Sequence, residues 1–353
     1  MTLLLTNADL EQLDVPEAEI VEVVGDAYRD LGTGSAANAP RARMYLPSEG
    51  DAPRYWVNNI MGAAPSAGVA AVRLDSSFSR FVRDERGARR VRAGDFVGIV
   101  LLFDLQSAEL VGILHDHWLS TRRVAAASAL GARHLAREDS ARLGIIGSGE
   151  QARAQVRALR VVRPLAEVRV YSPTTANREA FAEELSMPDC PVVAVDSARQ
   201  AVAGCDIVIT ATSARSPVLE GTWLESGTHL VSIVGSDRQT AGSELDEAAV
   251  ARADVIVVNT REQIRIDGQP TLMPLIESGR LAWEDIGELA EIVAGAGPAR
   301  TAAEQITFHH NNTGMGIQFS ALGALALRRA HAQGLGTELD GELFMTRGGT
   351  YAP

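Results

Sequence analysis

The stretch RLGIIGSGEQARAQVRAL, Arg142 to Leu159, decides how the chain is read. A short apolar run leads through Gly-Ser-Gly into a charged pattern of helical spacing. A strand turning this tightly into a helix gives the G-x-G-x-x-G/A spacing of Gly147 to Ala152 the context of a dinucleotide-binding fingerprint. Each small residue has a task in that reading. Gly147 permits the tight turn, Gly149 lets the backbone approach a pyrophosphate, and Ala152 lets the helix pack closely on the strand. Ser148, Glu150 and Gln151 complete the turn, with the phosphates at the helix N-terminus, where free N–H groups and the macrodipole favour negative charge.

Outward from this turn, residues 142–311 alternate β-branched runs with helical patterns, which predicts βαβ units and a parallel sheet. The runs EVRVYS, DIVITAT, THLVSIVG, DVIVVNT and QITFHH are nearly continuous in Val, Ile and other apolar residues, as strands covered on both faces require. The first 120 residues differ. A helical stretch from Glu17 to Leu31 precedes strand-like pieces and the hairpin-like GIVLLFDLQSAELVGILHD, predicting an antiparallel α+β unit. After Gly314 a long apolar helix, GMGIQFSALGALALRRAHAQG, is expected to return to that unit. RRVAAASALGARHLA, with Ser120 as N-cap, is strongly helix-forming and bridges the two. The expected fold is α/β, with a Rossmann-type doubly wound parallel sheet over 123–311 and an α+β domain made of 1–122 plus 312–353.

Composition bounds the function. At 353 residues the chain is long enough for two domains, and its 46% hydrophobic and 22% charged residues are an ordinary globular balance. No apolar run approaches the ~20 residues of a membrane helix, and MTLLLTNADLEQLD reads as a first strand rather than a signal peptide, so the expectation is a cytoplasmic protein. A formal charge of -12 argues against nucleic acid, whose phosphates call for a basic face. Cys190 and Cys205 stand alone, without metal spacing, so neither disulfide nor metal is expected. The pair His115 and His117 in HDH would share a strand face, but without a third ligand reads as solvated or hydrogen-bonded. The six arginines from Arg80 to Arg92, mixed with acids and glycines, read as a solvated loop. No G-x-S-x-G, H-E-x-x-H or Walker A pattern is present, which leaves acyl transfer, zinc proteolysis and phosphoryl transfer without a foothold.

The second strand ends VYSPTTANR, where an NAD site usually carries an acid for the ribose hydroxyls. Ser172, Pro173 and Thr174 supply none. A 2'-phosphate would meet no repulsion there, and Ser172, Thr174 and Arg178 could donate to it, so NADP(H) is favoured and NAD(H) remains open. Alternatively, Ser172 and Thr174 merely cap the next helix. Thr212 and Gly235, following later strands, complete the expected cofactor set.

RRVAAASALGARHLA before IIGSGEQA, GTHLVSIVGSD followed by SELD, and GMGIQ opening the late helix together resemble the ornithine cyclodeaminase and mu-crystallin family over nearly the whole chain. The resemblance implies a homodimer, a nicotinamide cofactor and a small α-amino or α-imino acid substrate, with the α+β domain binding substrate and forming the dimer. It points to Arg43 in RARMYLP and Arg123 in TRRVAAA as a carboxylate clamp, with Arg41 and Arg122 as neighbours, and to Asp237 in VGSD as the acid/base group near the substrate nitrogen. Arginine suits a clamp because its planar guanidinium meets a carboxylate with two parallel hydrogen bonds.

One departure matters. The cyclodeaminases carry a lysine where this chain has Arg73, and an arginine keeps the grip but stays protonated at any working pH. That favours a single hydride step over cyclodeamination. The expected function is an NAD(P)H-dependent oxidoreductase that reduces an α-imino acid or oxidises a small α-amino acid, with Asp237 and Arg73 catalytic and Arg43, Arg73 and Arg123 binding substrate. The alternatives are an ammonia-releasing cyclodeaminase and a mu-crystallin-type protein that stores NADPH or a small ligand. His309, His310, Asn311 and Asn312 either line the nicotinamide pocket or cap the last helix, and Trp56, Asn58, Asn59 and Met61 face either ligand or core.

Overall fold

The structure, a computed structural model, describes residues 1–47, 49–50, 52–84, 87–235 and 242–346, with the backbone alone at strand residues 81, 83–84 and 87–90. Eight parallel strands form one sheet. It runs from Val192–Ala194 through Glu167–Tyr171, Arg142–Ile146, Ile207–Thr210, His229–Ser232, Thr307–His310 and Val255–Val258 to Ile286–Glu288. Chain order reverses beside Arg142–Ile146, and the crevice at such a switch point is where open α/β sheets bind ligands. The strands from Ile207, His229, Val255 and Thr307 are buried along their whole length, as the continuous apolar runs predicted. This is a Rossmann-type α/β fold.

The second sheet has nine strands and is antiparallel except for Thr2–Leu5, which enters parallel to Leu110–His115. Its centre is the long pair Arg54–Ala64 and Val69–Asp84, followed by Val97–Asp104. Residues 56, 58, 60, 62 and 64 share the inner face, which packs against the closing helix Gly316–Gln333. That helix therefore does return to the N-terminal unit.

Between the sheets lies the bridging helix Asp116–Leu135. It begins four residues before the expected Ser120, because the strand Leu110–His115 runs into it without a loop and the His115 ring accepts a hydrogen bond from the His117 N–H at 3.3 Å. His115 and His117 consequently do not share a strand face. Their rings meet edge to face at 6.4 Å across the helix start. The alanines and Gly131 of this helix are buried on every side, and a Cβ on Gly131 would lie 2.3 Å from His309 Nδ1. Small residues are what let one helix touch both halves. Among the described residues no helix is long and apolar enough to cross a membrane.

The closing helix meets the sheet through two glycines. A Cβ on Gly316 would stand 1.9 Å from the Met61 carbonyl carbon and 2.0 Å from the Gly62 nitrogen, and both are backbone atoms that cannot step aside. Gly316→Ala is therefore expected to destabilise the fold by about 3 kcal/mol, read as a lowered denaturation midpoint. An unchanged midpoint would refute this contact.

Candidate dinucleotide and substrate site

At the switch point lies a cleft of about 600 Å3. Gly147, Ser148 and Gly149 form one wall, Ser172 and Thr174 one end, and Thr212 and Arg123 lie across it. Gly147 has φ +118°, and a Cβ there would sit 2.2 Å from the Ala211 carbonyl oxygen. Gly149 faces open space, so the backbone is bare where an anion would approach. It also precedes the helix Glu150–Val162 without any side-chain cap, leaving the first N–H groups for a ligand. Ala152 is buried at the helix-strand contact. The cleft has the form of a Rossmann-type dinucleotide site, and the residues present fit that group.

The remaining expected cofactor residues divide. Glu150 and Gln151 line the cleft, and Glu150 also accepts from Thr121 Oγ1 at 3.1 Å and lies 3.2 Å from the His117 ring. The Ser172 hydroxyl is joined to Ser148 at 2.9 Å. Thr174 is the N-cap residue of the helix Thr175–Leu185, yet its side chain makes no capping bond. Arg178 is buried and turned inward, donating to the Ser172 carbonyl at 3.1 Å and to Asp196 at 2.8 Å. Gly235 lies outside the cleft wall, where a Cβ would meet the Asn312 carbonyl oxygen at 2.5 Å.

The expected clamp arginines sit in three different settings. Arg73 donates from Nε to Asp116 at 2.8 Å and from Nη2 to both Asp116 and Asp75, the latter at 2.9 Å. Arg43 lies 3.5 Å from Asp267, which also pairs with Arg41 at 2.7 Å. Arg122, the neighbour of Arg123, packs over the Trp118 ring at 4.3 Å. Arg123 is half-buried at the cleft wall, with its Nε enclosed, and makes no ion pair with any described carboxylate. Its Nη1 donates only to Gln318 Oε1 at 3.2 Å, with the Phe319 ring 5.3 Å from its guanidinium carbon. Burial, then the like charge of Arg73, pushes its pKa down to about 9, still protonated at neutral pH. The GMGIQ motif builds this setting. A Cβ on Gly314 would collide with the guanidinium at 2.6 Å, and Gln318 is itself fastened by the Met315 N–H at 3.0 Å and the Tyr28 hydroxyl at 2.8 Å.

The family model for ornithine cyclodeaminase/mu-crystallin matches residues 6–330. The chain belongs to this family. It is 34% identical to an uncharacterized cyclodeaminase, y4tK, of Sinorhizobium fredii over 95% of this chain and 97% of the relative. Its structure is similar to delta(1)-pyrroline-2-carboxylate reductase of Thermococcus litoralis solved with NADH and L-proline. That match has a TM-score of 0.82 at 30% identity, covering 96% of this chain and 100% of the other. It is also similar to the iminosuccinate reductase of Paracoccus denitrificans in complex with NAD+, with a TM-score of 0.78 at 25% identity over 96% and 99%.

On this family scaffold several polar residues hold positions that the sequence did not disclose. Asp116 and Asp75 grip Arg73, and Gly98 is needed because a Cβ there would overlap Asp116 at 2.2 Å. The sequence signal for this grip is the acid between the two histidines of HDH. The His309–Asn312 segment does not cap the closing helix, whose N-cap residue is Met315, and it is not among the residues lining the cleft. Asn311 donates to the Val124 carbonyl at 2.9 Å and accepts from Asn259 at 2.7 Å, while Asn312 binds Asn259, Thr260 and Gln269. They tie strand ends to the bridging helix. Burial pushes His309 down to about 3 and His310 to about 4, so both rings are neutral. Asp237 lies outside the described residues.

Glu244 lies beneath the cleft. Its carboxylate accepts from the Thr212 N–H at 2.6 Å, from the Thr212 hydroxyl, and from Ser232 at 3.4 Å. Desolvation raises its pKa to about 7 against those donors. A folded-state value above the unfolded one stabilises the fold fully below the unfolded pKa of about 4.5 and loses that contribution as pH rises through 7. Glu244→Gln should therefore flatten the fall of melting temperature between pH 5 and 8 by the equivalent of up to about 3 kcal/mol. Identical pH profiles for the variant and the parent would contradict it.

Proposed function

We propose that this protein is an NAD(P)H-dependent imine reductase that reduces a small α-imino acid to the amino acid and also catalyses the reverse oxidation. The observation that carries the reading is Arg123, a half-buried guanidinium without a carboxylate partner among the described residues, lining the dinucleotide cleft. Such a charge calls for an anion, and a substrate carboxylate there places its α-carbon beside the cofactor. Gln318 and Gly314 hold the guanidinium so that the clamp is formed before substrate arrives.

When bound, the reduced nicotinamide supplies the hydride. The chain's own residues orient and polarise the substrate. Arg123 grips the carboxylate, Arg73, held by Asp75 and Asp116, lies beside it, and Arg43 closes the same face of the sheet. Asp237 is the residue we assign to the substrate nitrogen, where it would orient the iminium and exchange its proton. Arg73, anchored by two carboxylates, holds its charge rather than shuttling a proton, which supports the one-hydride reaction over cyclodeamination.

We assign residues 123–311 to the dinucleotide domain and 1–122 plus 312–353 to the substrate and dimer domain. Exposed Met44, Met61, Phe78 and Val97 lie on the outer face of the mixed sheet and favour a homodimer through that face. Among the described residues the lining at the adenosine end is Ser172, Pro173, Thr174 and Asn177, with no carboxylate to repel a 2'-phosphate and neutral hydroxyl and amide groups to donate to it, which favours NADP(H).

Three outcomes are expected. Purified protein mixed with NADPH and a 2-oxo acid plus ammonia or methylamine should consume the 340 nm absorbance, with kcat/KM for NADPH at or above that for NADH. A flat trace with every imine pair, alongside ammonia release from L-ornithine, would establish the cyclodeaminase instead. Arg123→Ala should raise the KM for the imino acid by about 100-fold, the loss expected on removing one partner of a buried charge pair, while dinucleotide affinity moves by less than about threefold.

A further inference from the structure

The inner face of the mixed sheet carries polar atoms that no described group satisfies. In the register of the antiparallel strands, Asn58 stands opposite Asp75, Trp56 opposite Ser77, and Ile60 opposite Arg73. Opposed residues share a face, so Asn58, Asp75 and Ser77 form one patch beside Arg73. Their exposures are 6%, 2% and 3%. Oδ1 of Asn58, Oδ1 of Asp75 and Oγ of Ser77 are each buried without a hydrogen-bond partner. Asp75 uses only its other oxygen, which accepts from Arg73 at 2.9 Å and Arg92 at 3.2 Å.

Three unsatisfied oxygens close together are costly unless something donates to them. We propose that this patch is the side-chain subsite of the substrate and selects an uncharged head group that donates hydrogen bonds, a hydroxyl or a carboxamide. The inference rests on the imine-reductase reading of the site. Its location follows from Arg73, which touches Asp75 on one side and bears electrostatically on Arg123 on the other. A substrate whose carboxylate is held at Arg123 points its side chain along this face.

Charge excludes the other head groups. An anionic side chain would meet the charge of Asp75 and the open oxygens, with only the Asn58 amide nitrogen and the Ser77 hydroxyl left to donate, since Arg73 and Arg92 are already paired with Asp75. A cationic one would find its negative charge already matched, because Asp75 and Asp116 are paired with Arg73 and Arg92. Arg123 adds a further positive charge nearby. An apolar side chain would leave all three oxygens unmet, the situation in which sites built for hydrogen bonding reject isosteres most strongly.

The test is calorimetric binding of amino acids to the full chain saturated with oxidised dinucleotide, paired with initial rates of the same amino acids. L-Serine is compared with the isosteric L-2-aminobutyrate, L-asparagine with L-leucine, and L-aspartate and L-ornithine serve as charged probes. The hydroxyl or carboxamide member of at least one pair should bind at least tenfold more tightly than its apolar counterpart and than both charged probes. Ser77→Ala, a small change in a strand, should reduce that preference by several-fold, and Asn58→Leu should abolish it. Equal or tighter binding of an apolar or charged probe would overturn the subsite. Binding with the expected preference but no dinucleotide reduction for any amino acid would leave the subsite standing and sink the oxidoreductase reading.

Discussion

A guanidinium held inside a protein without a carboxylate is the constraint from which much of this architecture follows. Arg123 loses part of its hydration at the cleft wall, and the charged group that bears on it most is another arginine, Arg73. The scaffold offsets part of that cost with one amide oxygen and one aromatic ring. Most other features of the site serve this placement. Gly314 leaves space for the charged group, Gln318 fixes it, and Tyr28 on the helix Glu17–Gly32 fixes Gln318 in turn. Arg73 is quenched by two acids, whereas Arg123 is not, so two arginines that look alike in the sequence differ in what they can still bind.

Close approach of backbones is the second theme. The bridging helix touches the parallel sheet where Gly131 meets His309, the closing helix touches the mixed sheet where Gly316 meets Met61 and Gly62, and the fingerprint turn touches the neighbouring strand end where Gly147 meets Ala211. Two of these contacts press a glycine onto backbone and the third onto the His309 ring, and a Cβ would block each of them.

Much of the fold was legible because its signals are local. A strand, a glycine turn and a helix follow one another within Arg142–Leu159, and apolar runs mark strands buried on both faces. The boundaries that slipped did so through context. The bridging helix starts at Asp116 because a strand feeds it directly, which no propensity of Ser120 could reveal. The His309–Asn312 segment was ambiguous because a polar residue at a strand end has the same local pattern whether it caps, binds or braces. Its neighbours Asn259, Gln269 and Ser128 lie far along the chain, and only their arrival makes it a brace.

The sequence by itself determined the glycine turn, the α/β class with its doubly wound parallel sheet, and the family, since each depends on short spacing or on residues within one element. The tertiary structure decided which charges are spent. Asp75 and Asp116 reach Arg73 across 2 and 43 residues, Asp267 reaches Arg41 across 226, and nothing among the described acids reaches Arg123. Electrostatic energy depends on distance in space and on burial, and neither is written in the order of residues.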